Sequence, residues 1–175
     1  MHIRVNGTPQ QQGSKTAFVI GKRAIMKDAN EKALKPWRDQ VANAAGEEWG
    51  DAPLLTGPVK ISVIFGFPRP KSHYGTGKNA HTVKASAPHF KTSTPDLDKL
   101  QRAIGDALTG KVFRDDAQVV VWDVLKVYAS AGYCDIIIID LSGGNDDGER
   151  HAALGSGADP DAGDRVAHSG PPLET

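Results

Sequence analysis

Residues 59–67 read Val59-Lys60-Ile61-Ser62-Val63-Ile64-Phe65-Gly66-Phe67. Val59, Ile61, Val63, Phe65 and Phe67 fall on one side, and Lys60, Ser62, Ile64 and Gly66 on the other. This period of two predicts a half-buried β-strand. Upstream, Trp37, Val41, Ala45 and Trp49 recur every four residues and mark one apolar helix face. Pro36 suits the first helical position and predicts where that helix begins. Core packing is the favoured role for both tryptophans, with base stacking by one of them as the alternative. Two short strands, at residues 3–5 and 17–20, precede this helix and flank the turn Asn6-Gly7-Thr8-Pro9 and a glutamine run. Downstream, residues 68–95 form a long irregular stretch, uncommon in a compact domain unless functional or disordered. Leu97, Leu100, Ile104 and Leu108 then share one face of a second helix. Strands at residues 119–128 and 133–141, joined through Ser130, Ala131 and Gly132, close the body. The order β-β-α-β-α-β-β predicts an α+β domain, a small mixed sheet with two main helices, and there are no internal repeats.

A chain of 175 residues holds one domain of ordinary size. No run approaches the roughly 20 apolar residues that span a bilayer, and residues 1–8 lack a signal pattern. The single cysteine, Cys134, cannot form an internal disulfide and reads as a small buried strand residue. An intracellular, cytoplasmic protein is expected. The net charge of zero conceals a split. Residues 141–175 carry seven acids and two arginines, leaving 19 of the 21 basic and 14 of the 21 acidic side chains in residues 1–140. The expected division is a domain at 1–140 and a disordered acidic Gly/Pro-rich tail at 141–175, solubilising or shielding a basic surface. The body alone is compatible with a polyanionic partner.

The chemistry concentrates in Thr94-Pro95-Asp96-Leu97-Asp98-Lys99-Leu100. Carboxylates two residues apart diverge by about 200° on a helix. Asp96 and Asp98 converge only if Asp96 precedes the helix in extended conformation and Asp98 lies in its first turn, a start that Pro95 favours. Asp-x-Asp alone is equally explained by a capping aspartate followed by a first-turn acid. Asp116 is the third acid, at a turn-like break before the apolar strand. Together Asp96, Asp98 and Asp116 form a candidate metal site. Oxygen ligands without His or Cys favour Mg²⁺, with Mn²⁺ possible, and suit phosphoryl chemistry. Asp98, Arg102 and Asp106 follow at i, i+4 and i+8. They read either as a ladder of solvated ion pairs or as a placement of Arg102 to hold a phosphate.

Between Asp51 and Asp96 there is no acid, while Arg69, Lys71, Lys78, Lys84 and Lys91 populate the loop with His73, His81 and His89. These five cations are candidate contacts to a nucleic-acid backbone, insensitive to sequence. The histidines are irregularly spaced and lack a carboxylate partner in the loop, which argues against zinc.

The combination of residues 94–100, Asp106-Ala107-Leu108, Phe113-Arg114-Asp115-Asp116-Ala117-Gln118-Val119 and Lys126 resembles the RusA family of Holliday junction resolvases. The resemblance is close over residues 94–128. It implies a small α/β homodimer that binds branched DNA, a four-way junction, and uses Mg²⁺ to make paired symmetric nicks in recombination, repair or phage DNA processing. By position, Asp96, Asp98 and Asp116 correspond to the family's essential carboxylates. This chain departs from the pattern at Lys99, where the family has Asn, and at Arg102, where it has Lys. Arginine stays charged and cannot serve as a general acid, but it keeps an electrostatic role. Lys99 is a candidate to supply part of the missing lysine's function. A two-fold protein suits a two-fold junction. The competing functions are a non-catalytic branched-DNA-binding protein and another Asp-x-Asp metal enzyme, though residues 1–95 lack the Gly-rich signatures of a nucleotide-binding sheet.

Overall fold

The computed structural model describes residues 1–13, 15–20, 23–28 and 30–143, with the backbone alone for 15–20 and 23–28. Residues 144–175, most of the expected acidic tail, lie outside the described residues. Alternation in residues 59–67 produces strand β4 (Val59–Pro68), which takes the interior of a four-stranded sheet. Around it lie β1 (His2–Asn6), β5 (Val119–Ala129) and β6 (Tyr133–Asp140) in the order β1-β6-β4-β5. β4 runs parallel to β5 and antiparallel to β6, and β1 is antiparallel to β6, so the sheet is mixed. β4 is not half-buried, as its alternation predicts. Lys60 and Ser62 are only 8% and 1% exposed, because an interior strand is shielded on both faces by its neighbours' side chains. Gly66 gives room for the Tyr133 ring on β6, since a Cβ would stand 2.2 Å from it.

Helices α1 (Glu31–Trp49) and α2 (Leu97–Leu108) supply the partners of the core face. Trp37, Val41 and Ala45 of α1 join Leu100, Ile104 and Leu108 of α2, against Ile61, Val63, Phe65 and Ile136. Trp37 is buried, as core packing predicts. α1 begins at Glu31 and contains Pro36 rather than starting with it. The proline removes one helical hydrogen bond, while the extra turn brings Leu34 to 3% exposure. Residues 23–28 are a strand that period alone did not reveal. β3 (Arg23–Asp28) pairs only with β2 (Lys15–Ile20) in a separate two-stranded sheet, giving the order β-β-β-α-β-α-β-β. No helix of the described residues is long and apolar enough to cross a membrane.

Residues 68–95 carry more order than their irregular composition suggests. Two short 3₁₀ turns, at Lys71–His73 and Gly77–Asn79, are braced by a Tyr74–Val83 bridge. Phe90 then bridges to Val127, with Lys91 N–H donating to the Lys126 carbonyl and Tyr128 N–H to the His89 carbonyl. The loop thus runs along the open edge of β5.

Cys134 is fully buried on β6, and burial pushes its thiol far above the usual range. It should therefore resist a thiol-reactive dye in the folded protein and react at the free-thiol rate in denaturant. Rapid labelling without denaturant would show that this strand opens.

Candidate active site

Three local devices place the acidic residues. The first is a turn at residues 115–118. Asp115 accepts a hydrogen bond from Ala117 N–H at 2.9 Å, and Gln118 Oε1 accepts from the N–H groups of Arg114 and Asp115 at 3.0 and 2.9 Å. The Gln118 amide nitrogen donates in turn to the carbonyls of Leu55 and Gly57. A capping box therefore anchors a 3₁₀ turn, Asp116–Gln118, to the chain ahead of β4 and leaves the Asp116 side chain exposed. Asp116 sits in this turn, just ahead of β5.

The second device fixes the start of α2. Asp96 has the extended backbone (φ −74°, ψ 138°) expected for a residue before the helix, and Asp98 lies in the first turn. The Asp96 side chain makes no capping bond, which sets aside the capping explanation. Its Oδ2 instead meets Lys99 Nζ at 2.8 Å, and that ammonium holds the carboxyl below its ordinary range. The glutamine run, read from sequence only as part of a connection, packs here. Gln11 Oε1 accepts from Asp96 N–H at 2.6 Å, and Gln12 N–H donates to the Lys99 carbonyl at 3.1 Å.

The third device is Lys126 on β5, whose Nζ donates to the carbonyls of Ser93 (2.9 Å) and Pro95 (2.6 Å). Burial, and then the neighbouring charge of Lys91, lower the Lys126 pKa. This partly buried ammonium is tolerated because carbonyl oxygens satisfy its donors.

Between α2 and β5 these devices leave an open cleft of about 300 Å³, lined by Asp98, Gln101, Arg102, Gly105, Asp116 and Trp122. The α2 residues stand at i, i+3, i+4 and i+7, on the face opposite Leu100 and Ile104. Arg102 forms no ion pair among the described residues. The predicted ladder fails because Asp106 pairs with Arg38 of α1, tying the two helices together. The cleft therefore holds two carboxylates and a guanidinium with no mutual salt bridge. Asp98, Asp116 and Arg102 are brought together, whereas Asp96 stands outside the lining and 46% exposed on Lys99. Among the described residues no group of three or more acids, histidines or cysteines is gathered closely enough to hold a metal ion. The donors present, two carboxylates and the Gln101 amide oxygen, are all oxygen. They fit Mg²⁺ or Mn²⁺, which retain several waters when bound. Gln101, Gly105 and Trp122 were not read from the sequence. Their signal was the helix face already defined by Asp98 and Arg102, which reaches Gln101 and Gly105 at the same spacing.

The basic loop partly spends its cations on its own structure. Arg69 donates to the Pro88 carbonyl, Lys84 to the Ser72 carbonyl, and Lys91 to the Ser93 hydroxyl. Lys91 Nζ also lies 5.4 Å from the ring centres of Phe67 and Tyr128. Lys71 and Lys78 are exposed. All five lie on the stretch that leads into Asp96.

The family model described as "Endodeoxyribonuclease RusA" matches residues 6–139. An uncharacterized protein of Bacillus subtilis (strain 168), YqaN, is 29% identical over 139 residues, covering 79% of this chain and 94% of that one.

Gln118→Ala is expected to strand two N–H donors and remove a donor from two carbonyls. It should cost about 1–3 kcal/mol in urea unfolding. An unchanged denaturation midpoint would show that another group holds the turn carrying Asp116.

Proposed function

The chain belongs to the RusA endodeoxyribonuclease family, and from that premise we propose that it is a Mg²⁺-dependent endonuclease that resolves four-way DNA junctions. The observation that carries this reading is the juxtaposition in one open cleft of Asp98 and Asp116 with Arg102, which forms no ion pair among the described residues. Asp98 and Asp116 would hold the ion, joined by Asp96 once DNA or metal draws it from Lys99. The bound ion would polarise the scissile phosphate and lower the pKa of an attacking water. Arg102 offers a planar fork of N–H donors to a non-bridging phosphate oxygen and opposes the charge that grows there in the transition state. Since it cannot release its proton, the leaving 3′ oxygen must take a proton from water. Lys99 neutralises Asp96 in the free protein and stands ready to balance charge when that carboxylate turns to the metal.

Binding of the DNA backbone falls to the loop of Arg69, Lys71, Lys78, Lys84 and Lys91, which contributes affinity without reading sequence. A homodimer completes the reading, because paired nicks in a two-fold junction call for two identical sites. Recombination, repair and phage DNA processing are the settings in which such junctions arise.

Asp98→Asn and Asp116→Asn should each lower Mg²⁺-dependent cleavage of a synthetic four-way junction by about 10³-fold, the equivalent of several kcal/mol of metal-centred stabilisation. Junction binding in EDTA should be retained. Binding with no cleavage under Mg²⁺ or Mn²⁺ by the unaltered protein would instead make it a non-catalytic DNA-binding member.

Arg102→Ala should cost about 100–1000-fold in cleavage rate, the value of one charged transition-state donor. Lys99→Ala should cost less, since its partner Asp96 lies at the cleft's margin. A Lys99→Ala rate equal to that of the unaltered protein would remove Lys99 from the mechanism.

A further inference from the structure

Gly105 is a glycine that its backbone does not require. It lies buried in the interior of α2, where glycine costs about 1 kcal/mol relative to alanine. It has none of the positive φ angles found at Gly7, Gly50, Gly77 and Gly110. A Cβ at this position would meet only Trp122, 3.7 Å from Cζ2 of the ring. The missing side chain therefore leaves a methyl-sized gap beside the edge of the indole, and the ring lies close to the helix backbone.

Trp122 packs against the core yet lines the cleft. Trp122 is only partly buried, and its indole N–H makes no hydrogen bond among the described residues. The side chains of Gln101 and Arg102 likewise make no hydrogen bond or ion pair among the described residues. The cleft thus presents an aromatic surface, an amide with one donor and one acceptor group, and a guanidinium beside two carboxylates. Four α2 residues span it over two helical turns, about 10.5 Å.

We propose that this cleft is a subsite for a single unstacked nucleobase, which stacks on Trp122 over Gly105 while Arg102 holds its phosphate. The inference rests on the nuclease reading and deepens it. A nucleobase is flat, π-faced and rimmed by donors and acceptors, which matches an indole beside a carboxamide. Gln101 offers its amide to the base edge and so carries a modest sequence preference. A base inside a duplex is unreachable, and extracting it costs several kcal/mol; at a branch point the stack is already interrupted and the cost is least. Trp122 would therefore favour branched over linear DNA by capturing a base that only the branch makes available.

The test uses the full chain, a synthetic four-way junction, and the same junction with abasic residues at the branch-point nucleotides. In EDTA, the intact junction should quench Trp122 fluorescence, the abasic one should not, and the difference should vanish in Trp122→Phe. Equal quenching by the two junctions would overturn the proposal. In Mg²⁺, Trp122→Ala should slow cleavage of the intact junction by about 5- to 150-fold, the worth of one base–aromatic stack. It should slow the abasic junction little further, and Trp122→Phe should restore most of the rate. Equal slowing of both junctions would refute stacking.

Gly105→Leu puts a side chain against the indole edge, so it should abolish the quenching, with retention of the fold checked by urea unfolding. Retained quenching in this variant would place the base elsewhere. Quenching without any cleavage would sink the nuclease reading and leave base capture standing. Cleavage without Trp122-dependent quenching would do the reverse.

Discussion

α2 must satisfy two surfaces at once, and the site depends on how it does so. One face, through Leu100, Ala103, Ile104, Ala107 and Leu108, is buried against the sheet and α1. The opposite face carries Asp98, Gln101, Arg102 and Gly105 along the cleft. The 3.6-residue repeat couples the two, because rotating the helix to move an acid would expose the leucines. Burial of the apolar stripe, at roughly 1.5–3 kcal/mol for each large side chain, therefore also sets the direction in which the catalytic candidates point.

Rotation is only one of the helix's degrees of freedom. Its start is held by Lys126, which joins β5 to the carbonyls of Ser93 and Pro95, and by Gln11 and Gln12 from near the N-terminus. The facing wall is held by Gln118, whose amide bonds to both the Asp115 turn and the chain ahead of β4. Residues far apart in the chain thus use neutral amides and one ammonium to position carboxylates. This arrangement leaves Asp98 and Asp116 without competing ion pairs inside the described protein. Asp96 differs, being held on Lys99, and its carboxyl is correspondingly kept ionised.

The loop at 68–95 shows how composition and structure diverge. Its glycines, prolines and lysines read as a solvated, irregular segment. Yet His89, Phe90 and Lys91 add to the edge of β5, and Arg69, Lys84 and Lys91 donate within the loop. An edge strand exposes unpaired N–H and C=O groups, and here part of that edge is covered by the chain's own loop. The cationic surface is thereby tied to the strand that also carries Trp122.

Periodicity determined much of this protein without coordinates. The alternation in residues 59–67, the four-residue spacing from Trp37 to Trp49, and the stripe from Leu97 to Leu108 are local patterns, and each yields its element because side-chain direction follows backbone period. Pro95 and the Asp-x-Asp spacing likewise place Asp96 before the helix and Asp98 in its first turn. Tertiary structure decided what local pattern leaves open. Leu34 extended α1 past Pro36 because burying it outweighed one lost hydrogen bond. Asp106 turned to Arg38 rather than Arg102, because an ion pair forms with whichever cation packing brings near. Gln11, Gln118 and Lys126 act through partners 85, 61 and 31 residues away, and no period encodes such contacts. Asp98 and Asp116 share a cleft for the same reason: only the packing of α2 beside β5 brings together residues that the chain keeps apart.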